Sequence, residues 1–369
     1  MTYKVGFVGY RFMSRAHANA LARLPMFFPE APATERFAIV GRTEDELEAA
    51  ADRLGFERTA TDWREIVDEV DVLYNLTPNA VHPEPSIAAL ERGVHVMCEK
   101  PLAPTLEAAE SMARAAAESD AVAATAFNYR FVPAVRYART LIESGELGEI
   151  RQVRGRYLQD WLVDPEAPWS WRNAAEVAGS GALGDLGAHT IDLTRYLVGD
   201  RVGGFDRVSG QLRTFVDERP VPDTGERRPV TVDDAFTAQV AFESGAIGTY
   251  EASRVATGRK NDHTIEIDGS DGAVRFSLER LNELEVKRAD ARGFETVLVT
   301  DPEDPYYDHW WPPGHVIGWE HTFVHENYEF LSSIAEGTTY RPNFEDGLAV
   351  QRVLDAIERS DEAGAWVDV

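Results

Sequence analysis

The 369-residue chain has few cysteines and lysines and little positive charge. Its single cysteine, Cys98, permits no intrachain disulfide. The formal net charge is −26, because 63 acidic side chains are set against 37 Lys plus Arg. Affinity for phosphates comes largely from clustered basic residues, so this balance excludes a nucleic-acid binder that works through a general basic surface. Lysine is scarce even among the basic residues, with Lys4, Lys100, Lys260 and Lys287.

Long apolar segments are also missing. No run of about 18 apolar residues occurs, which excludes a membrane-spanning helix. The chain opens directly on the apolar residues 5–9 with no signal peptide before them, so we expect a cytoplasmic protein. Hydrophobic residues at 44% and charged residues at 27% are ordinary globular values, and the length predicts two domains. The acidic, arginine-rich composition fits adaptation to high salt and a GC-rich genome equally well.

The first part of the chain, residues 1–126, alternates short apolar runs with helix-like stretches. The apolar runs are 3–8, 37–40, 70–76, 94–98 and 121–126. Apolar residues at helical spacing predict helices over 44–54, 83–92 and 105–119, with Thr105 as the N-cap of the last. This alternation is typical of a parallel sheet covered by helices, so we predict a doubly wound α/β domain.

The remaining residues, 127–369, show a different pattern of apolar runs and turn residues. Strand-like runs joined by turn signals between 208 and 299 predict a large, mostly antiparallel open sheet. The segment 213–231, rich in Pro, Arg and Glu, is predicted to be a surface loop. The other predicted elements are a strand over 150–158 and helices over 133–144, 185–197, 319–336 and 344–360. We therefore predict an α+β second domain.

A glycine motif lies where the first predicted strand ends and a helix begins. A dinucleotide-binding Rossmann domain places its G-x-G-x-x-G turn at this point. Gly9 takes the first glycine position, Arg11 the second and Ser14 the third. Arg11 adds a Cβ and a cation where the backbone normally approaches the pyrophosphate, so it either obstructs the phosphates or contacts them. Phe12 and Met13 belong to the same turn and are predicted to contact the cofactor.

The residue after the second strand bears on the choice of cofactor. An NAD site usually has an acidic residue there for the ribose hydroxyls, but this chain has Arg42. Arg42 is either a solvated arginine at a helix start or a partner for a 2′-phosphate. The cofactor is therefore predicted to be NAD or NADP, with a lean towards NADP.

Three further motifs follow in order along the chain. They are N-L-T-P-N at 75–79 with His82, E-K-P at 99–101 and G-A-L-G-D-L-G-A-H at 181–189. Together they resemble the glucose-fructose oxidoreductase, inositol dehydrogenase and MocA family of NAD(P)-dependent oxidoreductases, over nearly the whole chain. A second set resembles the members that oxidise carbon 3 of sugars and glycosides, the levoglucosan dehydrogenase type. That set is F-N-Y-R at 127–130, Y-L-Q-D-W at 157–161 and W-R at 171–172.

Hydride transfer from a carbinol carbon requires a base for the hydroxyl proton and a cation near the developing alkoxide. Lys100 follows a strand end, where such sheets bind ligands, and is the candidate for that cation. The resemblance makes Asp185 and His189 a substrate-binding and catalytic pair, with His189 as the proton acceptor. They are four residues apart and are expected on one helix face. Asp192 either orients the His189 ring or faces solvent.

The resemblance also implies contacts to cofactor and sugar. Beyond the glycine turn and Arg42, cofactor contacts are expected from Thr77, Asn79, His82, Glu99, Lys100, Asn128 and Arg172. Substrate contacts are expected from Lys100, Tyr129, Gln159, Trp161, Arg172, Asp185 and His189. Aromatic faces stack on the C–H face of a pyranose, while amides and guanidinium groups bind its hydroxyls. Arg130 is a further candidate by the same chemistry.

Other kinds of site find no support in the sequence. His321 and His325 are one helical turn apart, but the order is not H-E-x-x-H and no Cys or His cluster completes a site. No metal is therefore predicted. No G-x-S-x-G motif indicates a hydrolase. Cys98 has no adjacent base and is expected to be a buried residue at a strand end.

We predict an NAD(P)-dependent dehydrogenase acting on a CH–OH group of a sugar, glycoside, anhydrosugar or polyol. The alternative is a sugar-binding or regulatory protein on the same scaffold that lacks turnover, which Arg11 in the glycine motif motivates. A third reading keeps the enzyme but has it retain its cofactor tightly and recycle it with a second sugar. The resemblance implies a homodimer or homotetramer, without nucleic-acid or membrane partners.

Overall fold

The computed structural model describes residues 2–222 and 224–369. Contacts divide the chain into two compact units. The first comprises the described residues up to Asn128 together with Gly318–Leu348, and the second comprises Tyr129–Ile317 together with Ala349–Val369. Within the described residues, no helix combines the length and apolar character needed to cross a membrane. The cytoplasmic location stays a prediction.

The first unit is built on a parallel sheet. Its strands are β1 Thr2–Val8, β2 Ala33–Val40, β3 Arg58–Ala60, β4 Val72–Asn75, β5 His95–Cys98 and β6 Ala123–Thr125. They are ordered β3-β2-β1-β4-β5-β6, with every neighbouring pair parallel. The helices are α1 Phe12–Phe27, α2 Glu44–Leu54, α3 Pro83–Leu90 and α4 Leu106–Ala117. This arrangement confirms the predicted doubly wound domain, although β3 and the first half of β2 lie outside the predicted runs.

Several helix boundaries follow from single residues. The Thr105 hydroxyl accepts a hydrogen bond from the Ala108 N–H at 3.3 Å, which confirms Thr105 as the N-cap of α4. Helix α2 ends at Gly55, whose φ of +73° lies in the left-handed region that glycine adopts without strain. These local signals make the helix ends of the first unit the part of the fold that sequence predicts most closely.

Helix α8, Trp319–Glu336, belongs to the first unit although it lies far along the chain. It packs against α1. The Tyr74 hydroxyl on β4 donates a 2.6 Å hydrogen bond to Asn327 Oδ1 on α8. The contacts therefore assign a late segment to the first unit, whereas the sequence divides the chain once, between residues 126 and 127. The domain boundary between residues 126 and 127 stays a prediction.

The second unit is built on a mostly antiparallel sheet. Its strands are β7 Ile150–Leu158, β8 Phe205–Arg213, β11 Ala235–Phe242, β12 Ile247–Ser253, β13 Asp262–Gly269, β14 Ala273–Ser277, β15 Glu283–Lys287, β16 Glu295–Leu298 and β17 Val367–Asp368. The order is β16-β15-β14-β13-β7-β12-β11-β8-β17, and β7 and β12 form its parallel pair. Helices α5 Pro133–Glu143 and α7 Ala188–Val202 pack on the sheet; α6 is Ala175–Ala178 and α9 is Phe344–Ala363. The predicted α+β architecture is confirmed.

The segment 213–231 differs from the predicted surface loop. It contains a small hairpin of β9, Glu218–Pro220, and β10, Arg227–Pro229, and Arg219 on β9 is fully buried. The Arg219 guanidinium donates to the carbonyl oxygens of Leu162 at 2.7 Å and Asp164 at 2.8 Å. The prediction is wrong for Arg219 because backbone carbonyls bind its charged group inside the protein, which composition does not reveal.

The segment that leads into α7 is held by Asp233. The Asp233 carboxylate accepts hydrogen bonds from the N–H groups of Gly181 at 2.6 Å and Leu183 at 2.9 Å, and its backbone carbonyl accepts from Ala182 at 3.0 Å. A Cβ on Gly181 would lie 1.8 Å from that carbonyl oxygen, so the contact requires glycine. Burial raises the pKa of Asp233, while Arg254 and the N–H donors act in the opposite direction. One buried aspartate thus fixes where this segment begins.

We expect Asp233→Asn to release the backbone amides of residues 181–183. An amide side chain offers one acceptor oxygen in place of two, so its NH2 group meets one of the backbone N–H groups. The free energy of unfolding, measured by urea titration, should fall by about 2 kcal/mol. Amide hydrogen exchange measured by mass spectrometry should become faster at residues 181–183.

Asp234→Asn is the matched control for this substitution. Asp234 is also buried, and its carboxylate accepts hydrogen bonds from the N–H groups of Phe215 at 2.7 Å and Val216 at 3.1 Å. Both N–H groups bind the same oxygen, Oδ2, which an amide side chain can retain, so this substitution should change exchange little at residues 215–216 and leave residues 181–183 protected. Unchanged protection of residues 181–183 in Asp233→Asn would contradict the anchoring role of Asp233.

Candidate active site

Three strands of the first unit end side by side at the carboxyl edge of its sheet. Strands β1, β4 and β5 are parallel, and Val8 pairs with Asn75, which pairs with Cys98. The glycine turn, the loop after β4 and the E-K-P motif follow these residues directly. Open α/β sheets bind ligands outside this edge. The first unit therefore brings the predicted cofactor motifs and Lys100 to one place.

The glycine turn has the geometry that a pyrophosphate site requires. Gly9 has a φ of +108°, and a Cβ on it would lie 2.6 Å from the Leu76 carbonyl oxygen, so only glycine fits. Arg11 is the N-cap of α1 and makes no side-chain capping hydrogen bond, which leaves the first-turn N–H groups to an anion. Ser14 Oγ is buried with no hydrogen-bond partner among the described residues. These features fit a dinucleotide at this turn.

Arg11 is compatible with this turn even though it replaces a glycine. Its φ of −96° is one that any residue adopts, so the backbone there does not require glycine. The Arg11 side chain is 77% exposed, and its Nη2 lies 3.2 Å from the Glu46 carboxylate, which also accepts from the Tyr10 hydroxyl at 2.9 Å. The sequence leaves open whether Arg11 obstructs the phosphates or contacts them. In this structure its guanidinium pairs with a carboxylate on α2.

The other residues predicted near the nucleotide lie around the same turn. Phe12 is 54% exposed and stacks on Trp319 with the ring centroids 5.7 Å apart, while Met13 is half-buried. Arg42 is exposed and directly precedes the first turn of α2, which carries Glu44, Asp45 and Glu46. A negative phosphate placed near Arg42 would therefore also meet three carboxylates.

The loop after β4 is tied to the E-K-P motif through His82. The His82 ring is fully buried, with Nε2 at 3.0 Å from the Thr77 carbonyl oxygen and Nδ1 at 3.1 Å from that of Pro101. Burial lowers the pKa of His82. Both ring nitrogens face protein carbonyls, so the geometry indicates that His82 positions the two loops, whereas the sequence predicts a cofactor contact. Thr77 donates from its hydroxyl to Asn75 Oδ1 at 2.6 Å.

Glu99 is held inside the first unit by a histidine. Its Oε1 lies 3.3 Å from His17 Nε2, and its Oε2 accepts from the Lys100 backbone N–H at 3.3 Å. Asn327 Nδ2 donates to His17 Nδ1 at 3.1 Å, so the ring proton lies on Nε2 and points at Glu99. The carboxylate of the E-K-P motif is thus oriented by the protein, next to the half-buried Lys100.

Two more predicted cofactor residues are buried in the first unit. Asn79 begins a short 3-10 turn, Asn79–Val81. Asn128 donates from Nδ2 to the Thr322 hydroxyl on α8 at 2.8 Å. Their role at a cofactor stays a prediction.

The predicted catalytic pair of the second unit lies where two kinds of helix meet. Asp185 is in a single π-helical turn, Leu183–Gly187, and His189 is the second residue of α7. The sequence predicts one continuous α-helix here; the wider turn is of the kind often found at functional sites. Arg172 Nε lies 4.0 Å from Asp185 Oδ2. His189 is buried, with its ring 4.6 Å from that of Tyr129.

A group of polar and aromatic side chains surrounds the His189 ring. The Tyr129 and Tyr157 hydroxyls are 2.9 Å apart, and the Tyr157 hydroxyl and Gln159 Nε2 both donate to Asn261 Oδ1, at 2.8 Å and 2.7 Å. Tyr129 and Gln159 are predicted from sequence, whereas Tyr157 and Asn261 are not. Tyr157 lies in the Y-L-Q-D-W motif, where its position on the inward face of a strand explains it equally well, and Asn261 is an ordinary turn residue in the sequence.

His263 is a further residue of this group that the sequence does not single out. Its ring stacks on Tyr157 at a centroid distance of 4.5 Å, and its Nε2 lies 3.2 Å from the Thr190 hydroxyl. Burial lowers the pKa of His263 to about 3, so the ring is neutral at ordinary pH. His263 is therefore an uncharged ring that packs on Tyr157 in the group of side chains beside His189.

The structure excludes one of the two alternatives for Asp192. Its carboxylate is 1% exposed and accepts from Arg130 Nε at 2.9 Å, so it does not face solvent. Arg130, a candidate for the sugar pocket, is correspondingly buried in this ion pair and packs over the Tyr196 ring. Trp161, by contrast, is 43% exposed, and the Arg254 guanidinium lies over its ring, 5.9 Å from the centroid. Arg130 and Asp192 are thus structural partners.

Cys98 and His321, which the sequence does not assign to a functional site, both have structural surroundings. Burial raises the pKa of the Cys98 thiol, in keeping with a buried strand-end residue. His321 Nδ1 accepts from the Gly318 N–H at 3.1 Å at the start of α8. No group of three or more His, Cys, Asp or Glu side chains suited to a metal was found in residues 2–222 and 224–369.

Comparisons with known proteins agree with this geometry. The family model described as an oxidoreductase family with an NAD-binding Rossmann fold matches residues 3–127, and the GFO/IDH/MocA C-terminal domain model matches residues 135–275. Levoglucosan dehydrogenase of Pseudarthrobacter phenanthrenivorans is 44% identical over 385 residues, covering 99% of this chain and 97% of the relative. Glucose-6-phosphate 3-dehydrogenase of Bacillus subtilis is 26% identical, covering 97% and 96%.

A solved structure supports the same assignment. Levoglucosan dehydrogenase in complex with NADH and levoglucosan is 44% identical to this chain, with a TM-score of 0.95 and coverage of 100% of this chain and 99% of that one. The structural match covers all the motifs described above, and the two family models together cover all of them except residues 128–130. The chain is therefore an oxidoreductase of the GFO/IDH/MocA family, as its motifs predict.

Proposed function

We propose that the protein oxidises a ring hydroxyl of an anhydrosugar of the levoglucosan kind, with NAD as the hydride acceptor. The observation that carries this proposal is the surroundings of His189, which is buried beside Tyr129 and Tyr157 and close in sequence to Asp185. The likeness to levoglucosan dehydrogenase over the full chain supports the same substrate class. The likeness to a sugar-phosphate 3-dehydrogenase supports carbon 3 as the position oxidised.

In this proposal each polar group has one task. His189 accepts the proton of the substrate hydroxyl, and Lys100 stabilises the negative charge that develops on that oxygen. NAD, when bound, accepts the hydride from the carbinol carbon. Asp185 orients the reacting hydroxyl or the imidazole, and Arg172, 4.0 Å away, partly offsets the charge of its carboxylate.

The structure does not support the argument for the alternative function, a sugar-binding protein without turnover. That rival depends on Arg11 preventing cofactor binding at the glycine turn. Arg11 has an ordinary negative φ, and its side chain reaches Glu46. The fit of the turn to a dinucleotide favours the enzyme.

We expect purified protein with NAD to change absorbance at 340 nm when levoglucosan is added, and to do so less with inositols. The substitution His189→Asn should lower kcat about 10²- to 10⁴-fold, because the base is lost. A steady-state assay over a panel of anhydrosugars, glucosides and inositols measures both effects.

His315→Asn is the control for a histidine change in the same unit. His315 lies in an exposed loop with Nδ1 2.8 Å from the Pro312 carbonyl oxygen, so its replacement should leave kcat unchanged. If no member of the panel changes absorbance in either direction, the dehydrogenase proposal fails. Equal kcat in His189→Asn and wild type would remove His189 from its role as base.

The first turn of α2 supports NAD over NADP as the cofactor, whereas Arg42 alone favours NADP. Glu44, Asp45 and Glu46 occupy the first turn of α2, which begins two residues after Arg42. A 2′-phosphate carries negative charge, so three carboxylates repel it where a single arginine attracts it. The related levoglucosan dehydrogenase was solved with NADH, which supports this choice.

We expect kcat/KM for NAD to exceed that for NADP by about tenfold or more, which corresponds to about 1.4 kcal/mol. Neutralising the turn with Glu44→Gln, Asp45→Asn and Glu46→Gln should raise kcat/KM for NADP and narrow this ratio. The control pair Glu48→Gln and Asp52→Asn makes the same kind of change farther along α2 and should leave the ratio in place. A wild-type preference for NADP would contradict the assignment.

We also propose that the outer face of the second sheet is covered by another copy of the chain. This face has a shallow depression of about 620 Å³ lined by the exposed polar residues Arg154, Gln239 and Thr249 and by the half-buried Glu266. Arg154 pairs with Glu266 at 2.9 Å across neighbouring strands. A broad, flat sheet face of this kind suits a two-fold interface in which the same patch meets itself.

We expect light scattering to give two or four times the mass of one chain. Thr249→Trp places a bulky side chain in the centre of the face and should shift the mass towards one chain. Thr338→Trp, on an exposed loop of the first unit, is the control and should leave the mass unchanged. A wild-type mass of a single chain would contradict the proposed assembly.

A further inference from the structure

Arg254 directly follows β12 and carries a charged group into the interior of the second unit. The residue is 1% exposed. Its Nη2 donates a hydrogen bond to the carbonyl oxygen of Asp233 at 2.8 Å, and its Nη1 donates to that of Arg172 at 3.2 Å. Burial of a charge is costly unless polar groups satisfy it. One guanidinium group therefore joins two segments that are distant in the chain.

The contact between Arg254 and Asp233 leads to Asp185. A Cβ on Gly181 would lie 2.6 Å from Arg254 Nη2, so the guanidinium group lies directly against Gly181. The Gly181 N–H donates to the Asp233 carboxylate at 2.6 Å, and the Gly181 carbonyl oxygen accepts from the Asp185 N–H at 2.9 Å. Arg254 thus supports the backbone that is one hydrogen bond away from Asp185.

The contact between Arg254 and Arg172 also leads to Asp185. Arg254 binds the Arg172 backbone, while the Arg172 side chain reaches towards Asp185, with Nε 4.0 Å from Oδ2. The Arg172 and Asp185 side chains are 37% and 26% exposed, so both are partly accessible. The Arg172 guanidinium group also packs over the Trp171 ring, 4.4 Å from its centroid. The fork of Arg254 therefore holds the backbones behind two charged side chains that lie close together.

We propose that Arg254 is a positioning residue of the sugar site. Its guanidinium group sets the separation between the Arg172 backbone and the segment leading to Asp185, so that both side chains act on the substrate together. The inference depends on the proposed function, since the ligand is the sugar that the enzyme oxidises. Arg254 is buried and acts through the residues that it holds. Displacement of a binding group by about 1 Å can cost about a hundredfold in rate, so such a bridge affects turnover.

Arg254→Lys tests the bridge, because the two side chains carry the same charge in different shapes. A guanidinium group presents two Nη atoms in a planar fork, whereas an ammonium group is a single nitrogen. Lysine therefore keeps a cation beside Asp233 but does not reproduce the planar bridge between the two carbonyl oxygens. We expect kcat/KM for the best sugar of the panel, levoglucosan in this proposal, to fall about tenfold at saturating NAD. Arg254→Gln has one amide nitrogen and no charge, and should lower it at least as much.

A double-mutant cycle separates this role from a loss of stability. Arg172→Ala removes the side chain that Arg254 positions but keeps the backbone carbonyl that Arg254 binds. The loss of unfolding free energy in Arg254→Lys, measured by urea titration, should therefore be the same in both backgrounds. Its cost in kcat/KM should shrink from about tenfold in wild type to about threefold or less in Arg172→Ala. Isothermal titration of the sugar into the NADH complex makes the same comparison without turnover.

Arg219→Lys is the matched control. Arg219 is also fully buried, and its guanidinium fork joins the carbonyl oxygens of Leu162 and Asp164. The substitution removes a bridge of the same kind from another part of the second unit, so it should lower the free energy of unfolding to a similar extent. Its effect on kcat/KM should be the same in wild type and in Arg172→Ala, to within about twofold.

The outcomes distinguish this inference from the function on which it depends. If wild type oxidises no sugar of the panel, both proposals fail. If wild type is active but both Arg254 variants keep kcat/KM within about twofold of wild type, the positioning inference alone is overturned. The same holds if Arg254→Lys costs as much in Arg172→Ala as in wild type. Coupling of Arg219→Lys to Arg172→Ala as large as that of Arg254→Lys would also overturn it, because any buried change would then produce the effect.

Discussion

The register of three parallel strands is the constraint on which the chemistry of the first unit depends. Because β1, β4 and β5 run in one direction and pair level with one another, the chain must leave all three at the same edge. Gly9 turns sharply there, and Lys100 follows the last of the three strands. Backbone hydrogen bonding between the strands brings a helix start, a loop and a cation to one edge, and the His82 ring then ties the loop to the E-K-P motif.

Buried acceptors play the corresponding part in the second unit. Asp233 binds the amides before the π-helical turn, and Asn261 binds two donors beside the His189 ring. In both cases one oxygen-bearing side chain satisfies groups that would otherwise be unpaired inside the protein, which is costly. These hydrogen bonds therefore fix where the segment before α7 begins and how the side chains beside His189 are arranged.

Sequence predicts those parts of the structure that depend on a residue's own chemistry. Thr105 caps a helix because of its hydroxyl, and Gly9 turns because it lacks a Cβ, so both can be found from local pattern. Asp233 and Asp234 are adjacent and identical in type, yet they bind amides in different segments. Only the path of the chain distinguishes them. Arg219 escapes prediction for the same reason, since the carbonyls that bind it lie more than fifty residues earlier.

The net charge of −26 raises the question of how so acidic a chain holds an anionic cofactor. The sequence suggests arginines near the glycine turn as the source of positive potential, but Arg11 is paired with Glu46, and the first turn of α2 adds further carboxylates. A further source is the backbone. The uncapped N–H groups at the start of α1 point outwards, and they carry the positive end of the helix dipole. An acidic surface and the proposed anion site are therefore compatible, because peptide groups, which composition does not count, carry positive partial charge at this turn.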